Sequence, residues 1–154
     1  SGKQILSEKY ILLKDRDFLI LSKKEKTNFE EIVIHSITEK PNFPLKLTLC
    51  NLCDISNQMK NVIFVDENKI QFPLTIRKWK EGDYFYPTGM KGKKKVSKFF
   101  KDEKFTLFQK QDTWILESNN QIVWIIGHRA DERFKTENTT QTIIQITYNN
   151  EENS

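Results

Sequence analysis

Gly82-Asp83-Tyr84-Phe85-Tyr86-Pro87-Thr88-Gly89-Met90-Lys91-Gly92-Lys93-Lys94-Lys95-Val96-Ser97-Lys98-Phe99-Phe100-Lys101-Asp102-Glu103 is the stretch that organises this chain. Its first half is a loop punctuated by Pro87 and by three glycines that permit tight backbone turns. Its second half has the helical period: Val96, Phe99 and Phe100 fall at i, i+3 and i+4, on one side of a helix. At about 100° per residue, Lys94, Lys98 and Lys101 cluster on the opposite side. The reading is an aromatic-anchored helix with a lysine stripe facing outward.

Outward from this stretch the sequence alternates rather than repeating every three or four residues. Ile32–Ile34 with Ile37, Leu45–Leu49, Val62–Val65, Leu74–Lys78, Thr113–Glu117, Gln121–Ile126 and Ile143–Tyr148 read as strands, with Ser118-Asn119-Asn120 as a hairpin turn. Tyr10–Leu21 reads as a hairpin around Lys14–Asp17, Lys23–Asn28 as a polar connector and residues 50–61 as loop or short helix. The expected fold class is α+β and β-rich: a layered mixed sheet or sandwich with one or two short helices. Residues 1–70 are read as a β-rich intermediate segment, 71–148 as a second domain and 149–154 as a frayed acidic tail.

The 154 residues include 11 Phe, 3 Trp and 4 Tyr, enough for a packed core despite a mean hydropathy of −0.63. No apolar run reaches the ~18–20 residues of a membrane span, and the first residues show no basic-then-apolar-then-small pattern of a secretory signal. The first residue is Ser1, and the chain is expected to be part of a longer protein. Two cysteines in a lysine- and asparagine-rich chain suit a reducing cytoplasm.

The net charge of +4 is unevenly spread. Residues 71–110 carry 11 basic and 4 acidic side chains, whereas 1–70 are nearly balanced and 111–154 are net acidic. Arg77, Lys78 and Lys80 at a strand end, then Lys91, Lys93, Lys94, Lys95, Lys98, Lys101 and Lys104, form a candidate phosphate-binding surface. Lysines along one element neutralise neighbouring phosphates whatever the base sequence. Tyr84, Phe85 and Tyr86 are either core or a stacking platform for unpaired bases. In Gly127–Phe134, Arg129 and Arg133 are candidates to grip phosphate. His128 and Glu132 there allow a hydrolase alternative, but no nucleophile accompanies them.

Cys50-Asn51-Leu52-Cys53 is a lone C-x-x-C with only His35 and His128 to complete a metal site, so it reads as two small half-buried hydrophobes. No Walker loop, dinucleotide fingerprint, zincin motif or Ser-Gly-Gly-x-Asp-Ser pyrophosphate loop occurs. Neither a catalytic residue nor a metal ligand is assigned.

Residues 74–104 resemble the C-terminal domain of tRNA(Ile)-lysidine synthetase. The resemblance rests on Leu74-Thr75-Ile76-Arg77, the Gly82–Val96 pattern and Phe99-Phe100-Lys101-Asp102-Glu103-Lys104. It continues through Ile122–Arg129 and Arg133-Phe134-Lys135, about half the chain, while residues 10–21 look like the segment before that domain. Trp79 stands where a basic residue is common and Thr88 where Leu is frequent. The resemblance implies a β-rich layered domain shared with a phenylalanyl-tRNA synthetase subunit, which helps hold tRNA near its acceptor stem. It implies a parent ligase that adenylates C2 of the wobble cytidine of CAU-anticodon tRNA(Ile) with ATP and magnesium, then joins lysine there. That chemistry belongs to an N-terminal catalytic domain, so this chain is expected to need no cofactor and to be inactive alone. The implied partners are tRNA(Ile) and the catalytic domain, with no membrane. The alternative is an interaction module that docks on that domain or on a second copy of itself.

Overall fold

Val33 and Thr75, Thr75 and Glu117, and Leu116 and Trp124 face each other across the ladders of one antiparallel sheet. A computed structural model describes residues 31–50 and 60–149. The hairpin at 10–21, the connector at 23–28, residues 51–59 with Cys53, and the tail beyond 149 lie outside the described residues. The five-stranded sheet has the order β1(Ile32–Ile34), β4(Leu74–Lys78), β7(Trp114–Ser118), β8(Gln121–Ile125), β9(Arg129–Ala130). A second sheet places β10(Ile143–Tyr148) between β2(Leu45–Cys50) and β3(Val62–Asp66). A two-stranded ribbon pairs β5(Tyr84–Phe85) with β6(Lys94–Lys95), and α1(Val96–Asp102) follows it directly. A single turn of helix, α2(Leu107–Gln111), precedes β7.

The pleat sorts the side chains into two cores, because successive residues of a strand point to opposite faces. Leu74, Ile76, Leu116 and Trp124 pack with Leu45, Val65, Ile144 and Ile146 of the second sheet. On the other face Ile115, Ile122 and Ile125 pack with Phe85, Val96, Phe99 and Phe100. The result is sheet, sheet and helix-plus-ribbon in three layers, which agrees with the β-rich layered reading. At Asn119 and Asn120 the β7–β8 turn has φ of 51° and 64°, the left-handed pair of a two-residue hairpin. Asparagine tolerates that region better than other non-glycine residues.

Three expectations change. The sheets are antiparallel throughout, not mixed. Strands from residues 32–66 pair with β4 and β10 in both larger sheets, so a division at residue 70 would cut each of them; the compact unit begins at Ile32. Lys94 and Lys95 are ribbon residues, and α1 begins only at Val96. The lysine stripe is therefore shared between two elements.

Candidate nucleic-acid interface

β4 ends by turning Arg77 inward. The residue is only 6% exposed, and all five of its N–H donors are used. Nη1 and Nη2 donate to the two carboxylate oxygens of buried Asp83 at 3.0 and 3.1 Å. Nη2 and Nε donate to Glu117 Oε2 at 3.0 and 3.3 Å, and Nη1 also reaches the Lys78 carbonyl. Burial works against the guanidinium charge, and the Asp83 and Glu117 carboxylates more than offset it, so its pKa is raised. Asp83 also accepts the Lys80 N–H at 2.8 Å, and its own carbonyl accepts the Val96 N–H at 2.9 Å. The fork of Arg77 thus ties β4 to β7 through Glu117 and to the loop before β5 through Asp83, whose backbone carbonyl holds the start of α1. Arg77, a candidate phosphate contact in the sequence, is instead buried with its donors committed inside the fold.

The loop after β5 is fastened along residues 129–133 by a second buried carboxylate. Asp131 accepts the Tyr86 N–H, the Arg133 N–H, and Arg133 Nε and Nη2, at 2.8 to 3.0 Å. Backbone bonds from Thr88 to Ala130 and from Glu132 to Tyr86 flank it, and the Gly89 N–H reaches Glu132 Oε1 at 3.1 Å. Gly89 sits at φ of 82°, where a side chain would strain the turn.

On this frame the ribbon alternates. Phe85 is fully buried, while Tyr84 is 45% exposed and lies opposite Lys95. Lys93 Nζ stands 4.5 Å from the Tyr84 ring centre, and the Arg133 guanidinium 4.2 Å from that of Tyr86. The two tyrosines meet edge to face at 6.3 Å. Tyr84, Tyr86, Lys93, Lys95 and Arg133 therefore form one cationic and aromatic patch.

The other predicted residues separate by what already holds them. Lys80, Lys91, Lys95, Lys101 and Lys104 are exposed and make no ion pair with any described residue. Lys94, half-buried, and exposed Lys98 share Asp102 at 2.7 and 3.0 Å, and these bonds hold the Asp102 carboxyl below the usual carboxylate range. Lys78 is turned back, donating to the Gln111 carbonyl at 2.6 Å and lying over Trp114, with burial lowering its pKa. Arg129 is half-buried, with Nη1 reaching the Thr88 carbonyl at 3.4 Å. The sequence shows Asp131 only as one member of the charged Gly127–Phe134 cluster and assigns no role to Asp83 or Asp102. For Asp131 and Asp102 a signal existed, the local spacing to Arg133 and Lys98; for Asp83 the partners come from distant strands.

His128 and Glu132 do line a common open groove of about 570 Å³ between β3 and β9, with Lys60 and Lys135. Glu132 is ion-paired to Lys135, and that bond first, then the Gly89 N–H, holds its carboxyl below the usual range, the wrong direction for a proton donor. Among the described residues the groove has no serine or cysteine lining it, and no three His, Cys, Asp or Glu side chains converge to hold a metal. Cys50, half-buried, ends β2. No described helix is long and apolar enough to cross a membrane.

Two antiparallel sheets and a clamped layer of ribbon and helix that carries exposed lysines define a β-rich α+β domain. Residues 74–147 match the family described as "TilS substrate C-terminal domain", and this part of the chain belongs to that family. It is similar to the tRNA(Ile)-lysidine synthase of Parabacteroides distasonis, at 37% identity over 96% of this chain and 34% of that protein. The same enzyme of Bacteroides thetaiotaomicron is 33% identical over 93% of this chain and 32% of its own length. The chain thus spans about a third of the length of these relatives. A solved structure titled "Crystal structure of TILS C-terminal domain" superposes with a TM-score of 0.61 at 18% identity, covering 69% of this chain and 87% of the other. That likeness establishes the fold.

Proposed function

We propose that this chain is the tRNA-binding part of a cytoplasmic tRNA(Ile)-lysidine synthase and that it carries none of the ligase chemistry itself. The observation that carries the reading is the set of lysines at positions 91, 95, 101 and 104, exposed and without an ion pair among the described residues. The Tyr84–Lys93 and Tyr86–Arg133 pairs add a cationic and aromatic patch, with Lys95 opposite Tyr84, on a ribbon and loop immobilised by Arg77 and Asp131. Fixed cations neutralise backbone phosphates without reading sequence, which suits a domain that positions tRNA(Ile) while another domain selects and modifies the base. In this reading ATP, magnesium and lysine are used by the catalytic domain, which is also this chain's protein partner.

The relatives' shared name and the absence of a phosphate-cradling loop in the sequence support that division. The test is titration of the purified chain with a tRNA(Ile) transcript over a salt series. Affinity should fall by roughly 0.7–0.9 log units per log unit of salt for each phosphate neutralised. An isotherm that is flat in salt, or absent at low salt, would defeat the reading. The chain should release no AMP from ATP with lysine and tRNA present.

A further inference from the structure

Arg133 is held along one side of its guanidinium only. Its Nε and Nη2 donate to the two carboxylate oxygens of Asp131 at 3.0 Å each, and the group lies 4.2 Å from the Tyr86 ring centre. Asp131 is buried and is itself fixed by the Tyr86 N–H at 2.8 Å, so the pair is rigid. A guanidinium has five N–H donors, and this side-on pairing uses two of them. The end-on pair, one N–H of Nη1 and the second of Nη2, meets no acceptor among the described residues, and the side chain is 29% exposed. Arg77 is the contrast, with all five donors engaged inside the fold.

With Tyr84, Asn120 and Gln121, Arg133 lines an open pocket of about 120 Å³ between the ribbon and the β7–β8 turn. The exposed Asn120 and Gln121 side-chain amides have no hydrogen-bond partner among the described residues. The charges that line the pocket are compensated: Arg77 meets Asp83 and Glu117, and Arg133 meets Asp131. Lys93 and Lys95 stand outside it on the ribbon side, and Lys80 and Glu81 on the loop before it. The geometry points to a base-reading site, in which the end-on fork of Arg133 donates to O6 and N7 of a guanine seated between Tyr84 and the Asn120 and Gln121 amides. A phosphate would bring negative charge to a pocket with no spare positive charge, and it has no donor for the amide oxygens. A guanine edge is neutral and sets two acceptors side by side, as the fork requires; adenine has a donor in place of O6. In an A-form stem those atoms lie in a deep, narrow groove, so the guanine is unpaired or ends a stem. The site rests on the tRNA-binding reading and adds to it a contact that depends on base identity.

The experiment titrates the full chain and its R133K variant with two tRNA(Ile) transcripts, one made with guanosine and one with 7-deazaguanosine, which keeps its pairing edge but lacks N7. The parent should bind the second about 5-fold or more weakly, for the loss of one charge-assisted hydrogen bond. R133K keeps the charge but not the fork, so it should bind the guanosine transcript about 5- to 150-fold more weakly and bind both transcripts alike. Equal parental affinity for the two transcripts overturns the guanine site, and a weaker R133K beside that equality assigns the fork to phosphate. An R133K variant that separates the transcripts as the parent does overturns Arg133 as the reader. Should R133K melt far below the parent, the parental comparison, which needs no variant, decides alone. Failure of the parent to bind either transcript removes the tRNA-binding reading together with this one, whereas salt-dependent binding of both alike removes only this one.

Discussion

Replacing Arg77 with Met is the sharpest test of how the interface is held. The substitution keeps the side chain's length and removes all five hydrogen bonds to Asp83, Glu117 and the Lys78 carbonyl. Asp83 would remain with 7% of its side chain exposed, and the Lys80 N–H would be the one donor left to its carboxylate. Breaking a buried pair from one side typically costs about 3–5 kcal/mol, because a desolvated charge is left behind. For a unit of this size that is a fall of roughly 10–20 °C in Tm. Urea unfolding followed by tryptophan emission would measure it, with an unchanged m-value showing that the same structure unfolds. Arg77→Lys, which keeps the charge but loses the planar fork, should fall between the two. Because Arg77 is buried, R77K should leave the salt slope of tRNA binding unchanged. A loss under about 1 kcal/mol for R77M, or a shallower slope for R77K, would refute the clamp.

Further outcomes follow from the same contacts. Phe100→Ala empties a fully buried site beneath Trp79 and Phe105 and should cost about 3–5 kcal/mol, read by thermal melting. Lys95→Ala and Lys101→Ala should each shift stability by under about 0.5 kcal/mol while weakening tRNA binding and flattening its salt dependence. Asp102→Asn should do the reverse, tightening binding at low salt, since Lys94 and Lys98 lose their shared counter-ion. Its effect on stability has a definite sign. A carboxyl with a depressed folded pKa contributes stability above its unfolded pKa and loses it as pH falls through the folded one. The parent chain should therefore lose stability below about pH 4 by a component that D102N lacks. Asn120→Val should cost about 1–2 kcal/mol by forcing a β-branched residue into the left-handed region, whereas Asn120→Gly should be tolerated.

Most of the fold was legible because its strands are long enough to show their period. Leu45–Leu49, Leu74–Lys78 and Ile143–Tyr148 alternate or run apolar between turn residues, and Val96, Phe99 and Phe100 share one buried side of α1 as their spacing predicted. Two-residue strands such as β5, β6 and β9 have no period to read. The irregular β7–β8 pairing, which puts both Val123 and Trp124 into the same core, is also silent in the sequence. The start of α2 is marked in the sequence by Thr106 and Gln109 at capping-box spacing, a weak signal because no periodic apolar run follows it. The charged residues divided differently. The clustering of lysines between positions 91 and 104 is plain in the sequence, but no local feature distinguishes Arg77, whose Asp83 and Glu117 partners come from a loop and another strand. Burial of a charge is a property of the tertiary fold.

The most direct measurement of the central claim is an amine-reactivity footprint of the chain, read by mass spectrometry with and without a tRNA(Ile) transcript. The account predicts protection at Lys91, Lys93, Lys95, Lys101 and Lys104, and unchanged labelling at Lys40 and Lys46, which lie before and within β2. Protection at Lys40 and Lys46 with the 91–104 lysines still fully reactive would contradict it.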